Sequence, residues 1–132
     1  MVEDEFLLLE LFEEYVKLIP NVCYLGSCSD GHVAYDEIVK NSPDVLILDI
    51  RLPKVNGLEI LRKLRVQLPE MKIIIFSGSL DPSSIKICID TNAHGFVEKS
   101  YGLEELKKAI LAVISGKIYY TEGAEKIRKT LM

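Results

Sequence analysis

Apolar residues recur at helical spacing over 6–19 (FLLLELFEEYVKLI), with Leu8, Phe12, Tyr15 and Ile19 on one stripe and Pro20 as a stop. A strand-like stretch, VCYLGSC (22–28), follows. Asp30 and Gly31 open a second helix to about Lys40, and Pro43 precedes the unbroken apolar run DVLILDI (44–50). An apolar run of that length between helices predicts a strand buried on both faces. A third helix begins near Gly57 (GLEILRKLRVQ), and Leu68-Pro69 ends it before the strand KIIIFS (72–77). Asp81-Pro82 suits a fourth helix start, with Asp as N-cap and Pro in the first turn. A short strand, GFVEK (95–99), leads to a helix over about 102–115, with Leu103, Leu106, Ile110 and Val113/Ile114 inward and Gly116 as its C-terminal cap.

Strands alternating with helices at this spacing predict βαβ units and a parallel sheet covered on both faces. Four strands are clear, and a further one should precede the first helix, where only Met1 and Val2 are available to form it. The closing stretch, KIYYTEGAEKIRKTLM, is expected to form a short basic amphipathic helix or a frayed tail, so the domain is set at 1–116 and the tail at 117–132.

Ligand sites in open parallel sheets form outside the carboxyl ends of the strands, and the residues there are polar. Glu3 and Asp4 precede the first helix, the strand read in the 44–50 run ends on Asp49, the next on Ser77 and the last on Lys99. These five groups are expected to meet on one rim. Carboxylates about 5 Å apart repel by roughly 3 kcal/mol per pair at an effective dielectric near 20, and a hard divalent cation such as Mg²⁺ relieves that. With such a cation, Asp49 is a carboxylate nucleophile, and Ser77 and Lys99 suit the oxygens of a phosphoryl group. Taken singly, each has a plainer use: a turn or N-cap for Asp49, turn chemistry before Gly78 for Ser77, a solvated charge for Lys99. The acids Glu3, Asp4 and Glu5 likewise suit the first turn of a helix.

Composition narrows the classes without choosing among them. The 132 residues, 48% apolar and 27% charged, are those of one ordinary globular domain. A net charge of −4 argues against direct nucleic-acid binding, since phosphate backbones are held by an excess of Lys and Arg. No apolar run is long enough for a membrane span, and no signal peptide is visible. The odd cysteine count (Cys23, Cys28, Cys88) and spacing suggest small buried hydrophobes rather than disulfides or zinc ligands, which fits a reducing, cytoplasmic setting. His32 and His94 lack partners at ligand spacing and are expected at the surface or in loops.

Here the chain resembles the receiver domains of two-component response regulators, over nearly its whole length. VEDE resembles the family's acidic pair, DIRLPKVNG (49–57) its phosphoacceptor loop, FSGS its Ser/Thr position at Ser77, and GFVEKS its lysine at Lys99. The resemblance implies a flavodoxin-like, doubly wound five-stranded sheet of order 2-1-3-4-5, with strand 1 shortened here. It implies that Asp49 accepts a phosphoryl group from a sensor histidine kinase or a phosphotransfer protein. Mg²⁺ would be held by Asp4, Asp49 and the backbone carbonyl of Arg51, with Glu3 acting through water. Ser77 and Lys99 would contact phosphoryl oxygens, and Ser77 and Phe96 would form the switch, although an aromatic in a short strand is equally a core residue. Arg51 and Ser79 match positions that influence water access to the acyl phosphate.

The same resemblance makes the chain a signalling domain rather than an enzyme with a separate substrate, changing the face formed by the fourth helix, last strand and fifth helix. That face, or the wide apolar arc of the first helix (Leu7, Leu9, Leu11, Val16), would serve a homodimer or a phosphotransfer partner, contact with the fifth helix being the plainer use of the arc. The closest likeness is to receivers that precede a helix-turn-helix domain. The expectation is thus a stand-alone receiver, or one cut before an output domain that controls transcription. The short first strand leads to the expectation of an N-terminal truncation or a missed start. Two readings compete. A haloacid-dehalogenase-type phosphatase also uses a strand-end Asp but wants a second acid two residues on, where this chain has Arg51. A degenerate receiver would serve only as a binding module.

Overall fold

The computed structural model describes residues 1–2, 6–28, 31–49 and 57–132. Four parallel strands form one sheet in the order β1 (Val45–Leu48), β2 (Lys72–Ser77), β3 (Gly95–Glu98) and β4 (Tyr119–Tyr120). Helices α1 (Phe6–Val16), α2 (Gly31–Asn41), α3 (Gly57–Gln67), α4 (Pro82–Asp90), α5 (Gly102–Ile114) and α6 (Glu122–Leu131) surround it. The unbroken apolar strands behave as two-faced core elements. In β2, Ile73 and Ile75 face a cluster built with Ala34, Ile38, Leu61, Leu64, Ile85 and Cys88, whereas Ile74 and Phe76 face one built with Phe12, Val16, Leu106, Ile110 and Val113. Alternation of side chains across the sheet makes both layers from one strand. Helices α2, α3 and α4 therefore contribute to one side and α1 and α5 to the other. Each fully buried Ile, Leu or Phe supplies about 1.5–3 kcal/mol against exposure.

Among the described residues the expected strand over 22–28 comes down to one point: residues 22–27 have no regular structure, and Cys28 makes an isolated parallel bridge to Val2. A ladder needs a neighbour to pair with. Here Val2 is the bridging residue, joined to Cys28 on one side and to Leu48 on the other. Its N–H donates to the Ile47 carbonyl (2.8 Å), while the Met1 carbonyl accepts from the Cys28 N–H (2.9 Å). Between the 21–28 segment and β1 lies a cavity of about 650 Å³, lined by Val2, Phe12, Val16, Tyr24 and Ile47. It is remote from the strand ends that carry the polar groups.

The first helix is shorter than the 6–19 periodicity predicts, and the buried residues of that stretch are Leu9, Phe12, Val16 and, beyond the helix, Ile19, one position from the expected set at two points. Leu7, Leu11 and Leu18 are exposed. The Tyr15 hydroxyl, expected inward, instead donates to Glu104 and ties α1 to α5. At the other end, Gly116 (φ 90°) donates to the Val113 carbonyl (3.0 Å) and Lys117 to that of Ala112 (3.0 Å), the pairing of a Schellman cap. Of the expected pair Val113/Ile114, Val113 is the buried one. The cysteines divide: Cys88 is buried, Cys28 half-buried and Cys23 exposed, so Cys23 is not the small core residue expected of it. It lies in the segment that does not pair as a strand.

Residues 117–132 contain the short helix expected of them, α6, and a strand that was not expected. They add the short strand β4 to the edge of β3 and pack α6 against α4, with Ala124 buried. Gly95 permits this, since a Cβ there would stand 2.9 Å from the Tyr119 carbonyl.

Two local devices give testable magnitudes. The Asp81 carboxylate accepts from the Ser84 N–H (2.8 Å) with Pro82 in the first turn, as the sequence predicts for the α4 start. Asp81→Ala is expected to cost about 1 kcal/mol of stability by urea unfolding. His94 lies in the loop before β3, within the surface or loop setting expected, and is half-buried there: its backbone N–H donates to the Ile73 carbonyl (2.8 Å), and its Nδ1 accepts from the Ile73 N–H (3.4 Å). Burial, then the charges of Lys72 and Arg65, holds its imidazole below the usual range. The unfolded chain therefore binds this proton more readily, so the stability His94 contributes is present above about pH 6.5 and lost as pH falls through its folded value. Urea midpoints between pH 7.5 and 5 are expected to fall more steeply in the wild type than in His94→Gln; identical slopes would contradict this.

Candidate functional site

The rim at the carboxyl ends of β1, β2 and β3 brings together three of the predicted residues. Asp49 follows β1, and its N–H donates to the Val2 carbonyl (3.0 Å), which fixes its backbone against the sheet. Lys99 opens a short 3₁₀ turn (Lys99–Tyr101) directly after β3. Its Nζ stands 3.0 Å from Asp49 Oδ2, with the two side chains only 18% and 6% exposed. A pair so nearly buried differs in kind from the exposed helix pairs of this chain, such as Lys86–Asp90. Each charge is costly to desolvate alone, and the close pairing offsets part of that cost.

Ser77, the last residue of β2, is fully buried and lies opposite Glu98 in the parallel register. Its Oγ accepts from the Ser79 N–H (3.2 Å). That bond uses a lone pair and leaves the hydroxyl proton available for an acceptor at the rim. Lys99 also runs past the Ser77 loop, since a Cβ at Gly78 would touch its Cδ at 3.9 Å. A buried carboxylate, a cation and a hydroxyl thus share one strand-end rim.

Glu3, Asp4 and Arg51, the other predicted metal-site residues, lie outside the described residues, as do Asp30 and the side chain of His32. Among the described residues no cluster of three or more His, Cys, Asp or Glu could hold a metal ion. Of the predicted ligand set, Asp49 is the one described, and its buried hard-oxygen carboxylate has the chemistry Mg²⁺ takes.

Phe96 is fully buried, and its ring stacks on that of Tyr120 with centroids 6.5 Å apart. Tyr120 in turn shares a hydrogen bond with the Cys88 thiol and carries the Arg128 guanidinium 5.4 Å over its ring. Burial pushes the Cys88 thiol up to about 12, so it is a packing residue and not a nucleophile. Tyr120, Thr121 and Glu98 were not predicted from the sequence to belong to the neighbourhood of the rim. The aromatic pair after Gly116, in IYYT, was the available strand signal.

The predicted face of fourth helix, last strand and fifth helix is partly covered. The β3 edge pairs with β4, and α6 lies on α4. No helix of the described residues is long and apolar enough to cross a membrane.

Comparisons with known proteins bear on the family and the fold. The response regulator receiver domain family model matches residues 1–111. The transcriptional regulatory protein DegU of Brevibacillus brevis is 33% identical over 114 residues, which cover 83% of this chain and 48% of that protein. The DNA-binding transcriptional activator EvgA of Escherichia coli is 34% identical over 96 residues, covering 73% and 47%. The chain thus spans about half the length of these curated relatives. Among solved structures, the isolated receiver domain of RcsB from Salmonella enterica serovar Typhimurium with phosphomimetic BeF₃⁻ superposes with a TM-score of 0.86 at 22% identity, over 96% of this chain and 94% of that one. That likeness speaks for the α/β fold, and the family match over most of the chain settles membership: this protein belongs to the response regulator receiver domain family.

Proposed function

We propose that the chain takes a phosphoryl group onto Asp49 from a histidine kinase or phosphotransfer protein and passes the change to an output function. The observation that carries the reading is the nearly buried Asp49–Lys99 pair beside the buried Ser77 hydroxyl. A carboxylate oxygen of Asp49 attacks phosphorus and the donor's P–N bond breaks, the leaving imidazole taking the electron pair and a proton. Lys99 shifts from Asp49 Oδ2 to a phosphoryl oxygen, and Ser77, held by the Ser79 N–H, donates to another. Glu3, Asp4, Asp49 and the carbonyl of Arg51 would hold Mg²⁺, which when bound supplies positive charge to the phosphoryl oxygens. The bridges of Val2 to both Cys28 and Leu48 support the finer order 2-1-3-4-5, with Val2 in strand 1 between the second and third.

Ser77 and Phe96 form the switch in this reading, with the ring in its buried position beside Tyr120. Residues 1–116 are the phosphoacceptor unit, acting in the cytoplasm, and 117–132 an appendage packed on it. The control of transcription is carried by a separate output domain, as the names of DegU and EvgA suggest for those relatives. Homodimers would use the exposed leucines of α1 or the part of the α4–β3–α5 face that β4 and α6 leave open.

Acetyl phosphate with Mg²⁺ tests the reading by intact-mass spectrometry. One phosphoryl adduct per chain, with no sustained release of phosphate from small monoesters, is the expected result. Multiple turnover of monoesters would favour the phosphatase instead, and neither adduct nor turnover a binding module.

A further inference from the structure

The start of α6 is tied to the residue before Lys99. Thr121 is its N-cap by position, yet its hydroxyl makes no cap to its own helix. It donates instead to Glu98 Oε2 at 2.8 Å, while its N–H donates to the Phe96 carbonyl at 3.0 Å. Thr121 is 1% exposed, so this bond is shielded from water. The Glu98 carboxylate also faces the first turn of the helix: a Cβ at Gly123 would lie 3.6 Å from Oε2. A negative group there complements the helix N-terminus. On the other side, the same Cβ would come within 2.9 Å of Cδ2 of Leu80, in the loop after Ser77. Glu98 itself pairs with Ser77 in the sheet and precedes Lys99 in the chain. The first turn of α6 therefore touches the loop after β2 and the last residue of β3.

We propose that Glu98 and Thr121 couple the state of the Asp49–Lys99 pair to the seating of α6, so that drawing Lys99 off Asp49 loosens the helix. The coupling rests on the phosphoacceptor reading for its natural trigger, though not for its mechanics. Movement of Lys99 displaces the adjoining Glu98 carboxylate from Thr121 and from the helix start. With its hydroxyl already committed to Glu98, Thr121 makes no cap of its own to hold the first turn.

Amide hydrogen exchange over 122–131 in the full chain measures the coupling, with beryllofluoride and Mg²⁺ as the probe and bound fluoride followed by ¹⁹F NMR. Loading is expected to speed α6 exchange on the order of fivefold or more. Thr121→Val, which keeps the shape and removes the hydroxyl, should exchange faster before loading and respond less than about twofold afterwards. Unchanged or slower exchange in a loaded wild type overturns the proposal, as does a wild-type response in Thr121→Val. Lys99→Met tests the mechanics without any ligand and is expected to speed α6 exchange by itself. If α6 in Lys99→Met exchanges as in the wild type, the coupling fails whether or not beryllofluoride binds. Absence of bound fluoride with fast exchange in Lys99→Met upholds the coupling and removes the phosphoacceptor reading instead.

Discussion

Asp49→Asn is expected to take up no phosphoryl group from acetyl phosphate and Mg²⁺, under conditions in which the wild type takes up one. The substitution keeps the shape of the side chain and an oxygen that can still accept from Lys99 Nζ, 3.0 Å from the carboxylate in the wild type. Loss of the adduct in a chain with an unaltered circular dichroism spectrum would thus be a loss of chemistry and not of fold. Lys99→Ala should retain the nucleophile and slow the transfer on the order of 10²–10³-fold, the usual cost of removing one charge or donor from a developing transition state. It also leaves a nearly buried carboxylate without the cation that faces it, so a lowered urea midpoint is expected alongside the slower transfer. An adduct of wild-type stoichiometry on Asp49→Asn would show that another side chain is the acceptor.

Phe96→Ala is expected to destabilise the domain by about 3–5 kcal/mol in urea unfolding, the range for deleting a buried ring. The ring is fully buried, lies in the same core cluster as Ile85 and Cys88, and stacks on Tyr120. Against a typical total of about 5–15 kcal/mol, the loss would leave much of the population unfolded at moderate urea. Phe96→Leu, which fills most of the volume, should cost about 1.5 kcal/mol or less. The consequence reaches function. Swinging the ring to solvent would open the same cavity that Phe96→Ala opens, so an outward Phe96 has to be repaid by the ligand state. A cost below about 1 kcal/mol for Phe96→Ala would mean that the ring is not held as the structure shows it.

The sequence carried the parallel core plainly where apolar runs were unbroken. DVLILDI and KIIIFS could be read as two-faced strands because alternation is absent when both faces are buried, and Asp49 and Ser77 at their carboxyl ends located the rim. Asp81-Pro82 and Gly116 were legible because caps are local chemistry. The strand at 22–28 was misread because a strand is a relation between segments: VCYLGSC has the composition, but along its length only Cys28 bridges to Val2. Helix α1 was misphased at two points because FLLLELF offers leucines on several sides: Leu9 and Val16 are the buried residues, while Leu8 packs only partly buried against the core.

In the tail, helix α6 was expected and strand β4 was not. Its strand is two residues long, below what periodicity can reveal, and Tyr120 gains its place by meeting Phe96, Cys88 and Arg128 from three other elements. The pairing of Asp49 with Lys99 was predictable as convergence on one rim, because both end parallel strands. The Thr121–Glu98 bond was not, since nothing in either local sequence refers to the other.

Peptide mapping by mass spectrometry, after brief exposure to acetyl phosphate and Mg²⁺, tests the central claim most directly. The account predicts a single acyl phosphate, confined to the peptide that contains Asp49 and absent from Asp49→Asn. A phosphoryl group on any other side chain, or none on the wild type, would contradict it.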